Sequence, residues 1–302
     1  MCRCRWKRTG GAAALVAVMA CSPGEPARSP GRDTTAAPAP PADAVLGAAW
    51  SHDGKRIAVS WLRGRRARVY GVFGPAADSI LPTPSRGRPI TAGQGSDATW
   101  SPDGLWMAFA TTRTGNSEIY RVRPDGTGPE NLTRSPSNEG EPAYSPDGRS
   151  IAFTSDRGGK GPRVYVMRAD GRDPHPVAEG LPGADQHDPA WSPDGRVLAF
   201  TVLEGADTVI WVDSLSGGGR GRLGKGHEPA WSADGTHVFF TEGDSVFVRP
   251  SAGGPATLVV ADAREPAAAP RGRWLAFVRG TASASALYLL DLRTKTEVRI
   301  TS

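Results

Sequence analysis

One five-residue phrase recurs along the chain and limits the possible folds more than any other feature. It reads Trp50-Ser51-His52-Asp53-Gly54, Trp100-Ser101-Pro102-Asp103-Gly104, Tyr144-Ser145-Pro146-Asp147-Gly148, Trp191-Ser192-Pro193-Asp194-Gly195 and Trp231-Ser232-Ala233-Asp234-Gly235. A degenerate sixth copy is Ala268-Ala269-Pro270-Arg271-Gly272. Successive copies lie 50, 44, 47, 40 and 37 residues apart, and 34 residues follow Ala268. A period near 40 residues marks a repeat architecture in which each unit cannot bury its own apolar faces.

Each unit reads as four short strands. In the third, Pro142-Ala143-Tyr144 forms a first strand and Ser145-Pro146-Asp147-Gly148 a tight turn. There Pro presets φ, Asp bonds its own backbone and Gly supplies positive φ. Ser150–Thr154 alternates as a second strand, Arg163–Met167 as a third and His175–Ala178 as a short outer one. The remaining copies keep this order, and no stretch holds a helical period over more than two turns. The expectation is an all-β, six-bladed β-propeller of four-stranded antiparallel blades spanning residues 45–302. Radial packing covers both faces of each blade, and closing the ring leaves no free end. Blade 1 starts with its innermost strand and blade 6 ends with its outermost, so closure is expected from apolar packing rather than strand exchange.

The phrase Pro-Ala-Trp-Ser-Pro-Asp-Gly-Arg at 189–196, with Ala199-Phe200 after it, resembles the repeat of the TolB propeller family. So do Thr112–Asn116, Ile119-Tyr120, Pro124-Asp125-Gly126, Asn131-Leu132-Thr133 and the Ser155-Asp156-Arg157 loop. The resemblance implies the fold firmly and the function loosely, because propellers serve many roles. TolB itself carries a further α/β domain ahead of its propeller, whereas a Pro-rich stretch precedes the repeats here. Oligopeptidases related to dipeptidyl peptidase IV use similar repeats beside a hydrolase domain, but no Gly-x-Ser-x-Gly elbow occurs in this chain.

Residues 1–21 read as an export leader. Arg3, Arg5, Lys7 and Arg8 precede an apolar run, Ala12–Ala20, too short to span a bilayer. The run ends in Val18-Met19-Ala20-Cys21, which resembles a lipobox and makes Cys21 the expected lipidation site; ordinary cleavage near Ala20 is the alternative. Residues 22–44, rich in Pro and Ala, read as an extended tether. The leader also accounts for most of the formal charge of +5: without its four basic groups, 32 remain against 31 acids. The basic pI therefore carries no nucleic-acid signal. Of three cysteines, cleavage before Cys21 removes two, so no disulfide is expected.

Three residues before each motif aromatic stand Asp97, Glu141, Asp188, Glu228 and Glu265, with Gly47 in the first unit. Sixfold symmetry would gather these acids at one mouth of the central channel. They could hold Ca²⁺, another divalent cation or a basic peptide end; equally, they could cap backbone N–H groups of the next blade. His187 and His227 adjoin two of the acids and are the candidates for a transition metal. Arg63-Gly64-Arg65-Arg66-Ala67-Arg68 is a basic loop suited to an acidic partner or to plain solvation. The functional expectation is a monomeric scaffold for an envelope protein or peptide, exported and lipid-anchored, with no catalytic residues and no nucleic acid. The rival is a metal-dependent propeller hydrolase or lactonase with its site at the channel mouth.

Overall fold

The computed structural model describes residues 43–63, 66–73, 89–91, 94–178, 180–181, 185–281 and 283–301. The leader, Cys21 and residues 22–42 lie outside the described residues. Blade 1 is β1 (Asp43–Trp50), β2 (Arg56–Arg63) and β3 (Arg66–Phe73), with a Tyr70–Pro89 bridge at its rim. Blade 2 is β4 (Ser96–Trp100), β5 (Met107–Thr111), β6 (Glu118–Val122) and β7 (Glu130–Asn131). Blade 3 is β8 (Glu139–Tyr144), β9 (Ser150–Ser155), β10 (Arg163–Arg168) and β11 (His175–Pro176). Blade 4 is β12 (Gln186–Trp191), β13 (Val197–Glu204), β14 (Asp207–Ser214) and β15 (Arg220–Lys225). Blade 5 is β16 (His227–Trp231), β17 (His237–Glu242), β18 (Ser245–Pro250) and β19 (Thr257–Ala261). Blade 6 is β20 (Arg264–Ala268), β21 (Trp274–Thr281), β22 (Ala284–Asp291) and β23 (Glu297–Arg299). Pairing within every blade is antiparallel, and the innermost strands β1, β4, β8, β12, β16 and β20 meet in turn, with β20 meeting β1. The molecule is a six-bladed β-propeller.

The recurring phrase acts through its turn. In blade 3, Ser145 Oγ donates to Asp147 Oδ1 (2.6 Å) and accepts from Ser150 N (2.9 Å). Asp147 Oδ1 also accepts from Arg149 N (3.0 Å), and Gly148 takes φ 71°. The motif tryptophan then joins blades. Trp191 Nε1 donates to Ala143 O (3.0 Å) and Trp231 Nε1 to Ala190 O (3.1 Å), each on the preceding innermost strand.

Burial follows the same repeat. Phe109, Phe153, Phe200, Phe240 and Phe277 occupy one position of the second strand, all at most 1% exposed, and Val59 replaces them in blade 1. Each stands opposite an aromatic of the third strand: Tyr120, Tyr165, Trp211, Phe247, Tyr288 and Tyr70. Six apolar clusters result, one per seam between neighbouring blades. The closing seam packs Val45, Trp50, Ile57 and Val59 on Ala276, Val278, Leu287 and Leu289. Trp50 Nε1 donates to Ala267 O (3.0 Å), as Trp191 and Trp231 do at their seams. One feature of this closure has no counterpart in the sequence pattern: β1 pairs in parallel with β22 at Asp43 and Ala284, and Ser285 Oγ donates to Val45 O (2.9 Å).

Candidate functional site at the channel mouth

The five acids sit at equivalent points of the innermost strands, each within a β-bulge. The register with the second strand slips between Ser96 and Thr99, Gly140 and Ala143, His187 and Ala190, His227 and Ala230, and Arg264 and Ala267. At each slip the acid takes left-handed backbone: Asp97 φ 52°, Glu141 51°, Asp188 53°, Glu228 55° and Glu265 54°. Asp tolerates that region moderately and Glu poorly, at a cost of about 1–2 kcal/mol per residue. Blade 1 slips between Val45 and Gly47 instead, and a Cβ added at Gly47 would stand in ordinary contact with Glu265 Oε2 (3.5 Å).

The acids are tied into a chain across the blades. Glu141 Oε2 accepts from Thr154 Oγ1 (2.6 Å) and from Asp188 N of the next blade (2.8 Å). Asp188 Oδ2 accepts from Thr201 Oγ1 (2.9 Å), which itself accepts from Glu228 N (3.2 Å). Glu228 Oε2 accepts from Thr241 Oγ1 (2.8 Å) and Glu265 N (2.9 Å). These three threonines hold the candidate site together, and the sequence reasoning passed over them. Their signal was a Phe-Thr pair within the second strand in blades 3, 4 and 5. Where blades 2 and 6 have Ala110 and Val278, Asp97 and Glu265 receive no such donor.

His187 and His227 each pair with a different acid. His187 Nδ1 lies 3.4 Å from Glu141 Oε1 across a blade seam, and His227 Nδ1 lies 3.4 Å from Glu228 Oε1 within its own blade. Among the described residues, no group of three or more His, Cys, Asp or Glu is placed to hold a metal ion. The turn aspartates, including Asp147, are spent on their own backbone.

Electrostatics divides the acids into two kinds. Desolvation pushes Glu141 and Glu228 upward, but the imidazole, threonine and backbone donors outweigh it, and both carboxyls titrate below their usual range. His187 and His227 are correspondingly raised, since their carboxylate partners outweigh desolvation. The other acids go up. Desolvation, then Glu141 and Glu228, lifts Asp188 to about 7. Desolvation, then Glu228, Asp188 and Asp97, lifts Glu265 well above the usual carboxylate range. Asp97, exposed on the channel, is raised to about 6 by partial desolvation and Glu141. Crowded like charges cannot all ionise together. The site is thus a partly protonated anionic ring, able to accept a positive group by giving up protons.

A six-bladed propeller with acids at one channel mouth defines the class. The family described as the TolB beta propeller domain matches residues 40–241. The chain belongs to this TolB-type propeller family. It is 35% identical over 108 residues to an uncharacterized protein of Agrobacterium fabrum, covering 35% of this chain and 34% of that one. It is 34% identical over 130 residues to the Tol-Pal system protein TolB of Bordetella pertussis, covering 43% of this chain and 28% of that one. The chain thus spans about a third of the length of the curated relatives it matches. The crystal structure of TolB from Acinetobacter baumannii superposes with a TM-score of 0.60 at 24% identity, over 75% of this chain and 57% of that one, a likeness of fold.

Proposed function

We propose that this propeller is a binding scaffold of the bacterial cell envelope, which seats a cationic group of a protein or peptide partner in the carboxylate ring. The observation that carries the reading is the set of five acids held in costly left-handed backbone at one mouth. Strain of this kind persists where the surrounding structure over-determines it, and it gathers at ligand sites. Capping alone would be served by the donors on Glu141 and Glu228, yet Glu265 is kept in place with no threonine donor. Membership of the TolB-type family agrees with a protein partner, as does the relative named for the Tol-Pal system. The positive leader and the lipobox-like Val18–Cys21 support export and lipid attachment through Cys21.

Calorimetric titration with an oligolysine peptide at low salt tests the ring. Binding that weakens about tenfold or more in Glu228→Gln supports it. Absence of binding, or a stoichiometric metal retained by protein purified without chelators, overturns it. Radiolabelled palmitate incorporated by the native chain and lost in Cys21→Ser checks the anchor.

A further inference from the structure

The described loops on the ring's side of the molecule carry their charge unevenly. In an antiparallel blade, the turn from second to third strand and the connection to the next blade lie at the end where the innermost strand begins. In blade 5, for example, His227 stands opposite Thr241 and Glu242 opposite Ser245, so that turn borders the ring. On blades 1 to 3 this end bears Arg66, Arg113, Arg134 and Lys160, all exposed. None of the four makes an ion pair among the described residues. Of the acids at this end, Glu139 is buried against Ser155 and Arg157, while Asp156, held by Asn138 N (2.8 Å) and Asn138 Nδ2 (2.9 Å), and Asp185 beside Gly161 offset only part of this positive charge.

Blade 5 stands across the channel from blade 2 in a sixfold ring. Its corresponding end bears Glu242, Asp244 and Asp262, which likewise make no ion pair among the described residues. Of the cations beside it one is paired, and the other, Arg264, leaves the three acids in excess. Arg279 pairs with Glu297 (2.6 Å), although it also feels Asp262, and Arg264 donates to Gly280 O (2.6 Å). Between these arcs, blade 4 is neutralised: Arg222 pairs with Glu204 (3.3 Å) and Lys225 with Asp207 (3.0 Å). The basic loop noticed in the sequence thus belongs, through Arg66, to one half of a two-signed face.

We propose that this face binds an extended polypeptide segment of split charge, its basic part over the ring and blade 5, its acidic part over blades 1 to 3. Resting on the binding reading above, this adds the chemistry and the lie of the bound chain. Screening confines attraction between exposed charges to about 8 Å at physiological salt, so each arc selects only the residues laid on it. A uniformly basic chain gains at blade 5 and is repelled at blades 1 to 3, and complementary charge sets which partner is accepted.

Fluorescence anisotropy of the whole protein with three labelled peptides of one length tests this: all-lysine, all-glutamate, and a glutamate block joined to a lysine block. The split peptide is expected to bind about tenfold more tightly than the lysine peptide. Arg113→Glu with Arg134→Glu should abolish that preference while leaving lysine-peptide binding equal or stronger; because Arg113 also lies over the Tyr120 ring (4.7 Å), the melting temperature is read alongside, and Arg134→Glu with Lys160→Glu, both in exposed loops, should give the same result. If the lysine peptide binds as tightly as the split one, or the preference survives in these variants, the split-charge inference falls and the ring reading stands. If no peptide binds, both fall.

Discussion

At the scale of single residues, the ring acids are expensive to keep. Asp188 illustrates the terms. Its backbone is left-handed, its carboxyl has one threonine donor, and Glu141 and Glu228 flank it with like charge. A raised carboxyl pKa favours the protonated folded state, so its stabilising effect is complete at low pH and lost as pH rises through about 7. Asp188→Asn keeps the shape, suits left-handed backbone at least as well, and removes the charge. The variant should melt higher than the native protein at about pH 8, by roughly half as much at about pH 5.5, and nearly equal to it only below about pH 4, as read by calorimetry. Equal melting at the higher pH would mean that Asp188 carries no unfavourable charge there. Stability given up at a binding position is the usual trade between holding a ligand site and packing tightly.

At the scale of elements, turn and core contribute unequally. Blade 6 has Ala269 and Arg271 where the other turns have Ser and Asp, yet Gly272 N still reaches Ala269 O (2.9 Å) and Ala269 N reaches Trp274 O (2.8 Å). The backbone turn survives without its side-chain bonds. Asp147→Ala should therefore cost only about 1 kcal/mol. Phe153→Ala empties a fully buried site against Tyr144, Tyr165 and Met167 and should cost about 3–5 kcal/mol. Denaturant titration separates the two, and comparable costs would contradict this ranking. These elements were legible in the sequence because turn chemistry and alternation are local. Asp97, Glu141, Asp188, Glu228 and Glu265 could be aligned for the same reason. Their left-handed backbone could not be read, since a bulge is a property of two paired strands. Nor could the contrast between Thr154 and Val278 be weighed before the second strand was known to face the acid. The parallel contact of Asp43 with Ala284 joins residues more than 200 positions apart, and no short-range pattern announces it.

At the scale of the whole molecule, closure and proton balance set the behaviour. The seam between blades 6 and 1 repeats the others in its apolar cluster, and its Trp50 hydrogen bond matches those of Trp191 and Trp231. Two kinds of shifted group lower stability as pH rises, and the third lowers it on acidification. The raised acids Asp188 and Glu265 disfavour folding once ionised, the raised His187 and His227 lose their contribution as pH climbs past their folded values, and the lowered Glu141 and Glu228 lose theirs only on acidification below the usual carboxylate range. Melting temperature should accordingly peak near pH 4 to 5, roughly, and fall toward pH 8; a peak above pH 7 would contradict this proton balance. A cation in the ring should relieve the same repulsion, and by linkage it must displace protons. The deciding measurement is calorimetric titration of oligolysine at about pH 7, where Asp188 is half-titrated, in two buffers of different ionisation enthalpy. Heats that differ by net proton release, with the difference lost in Asp188→Asn, are expected if the ring receives the cation. Equal heats in both buffers would place the bound cation elsewhere and contradict the ring as the binding site.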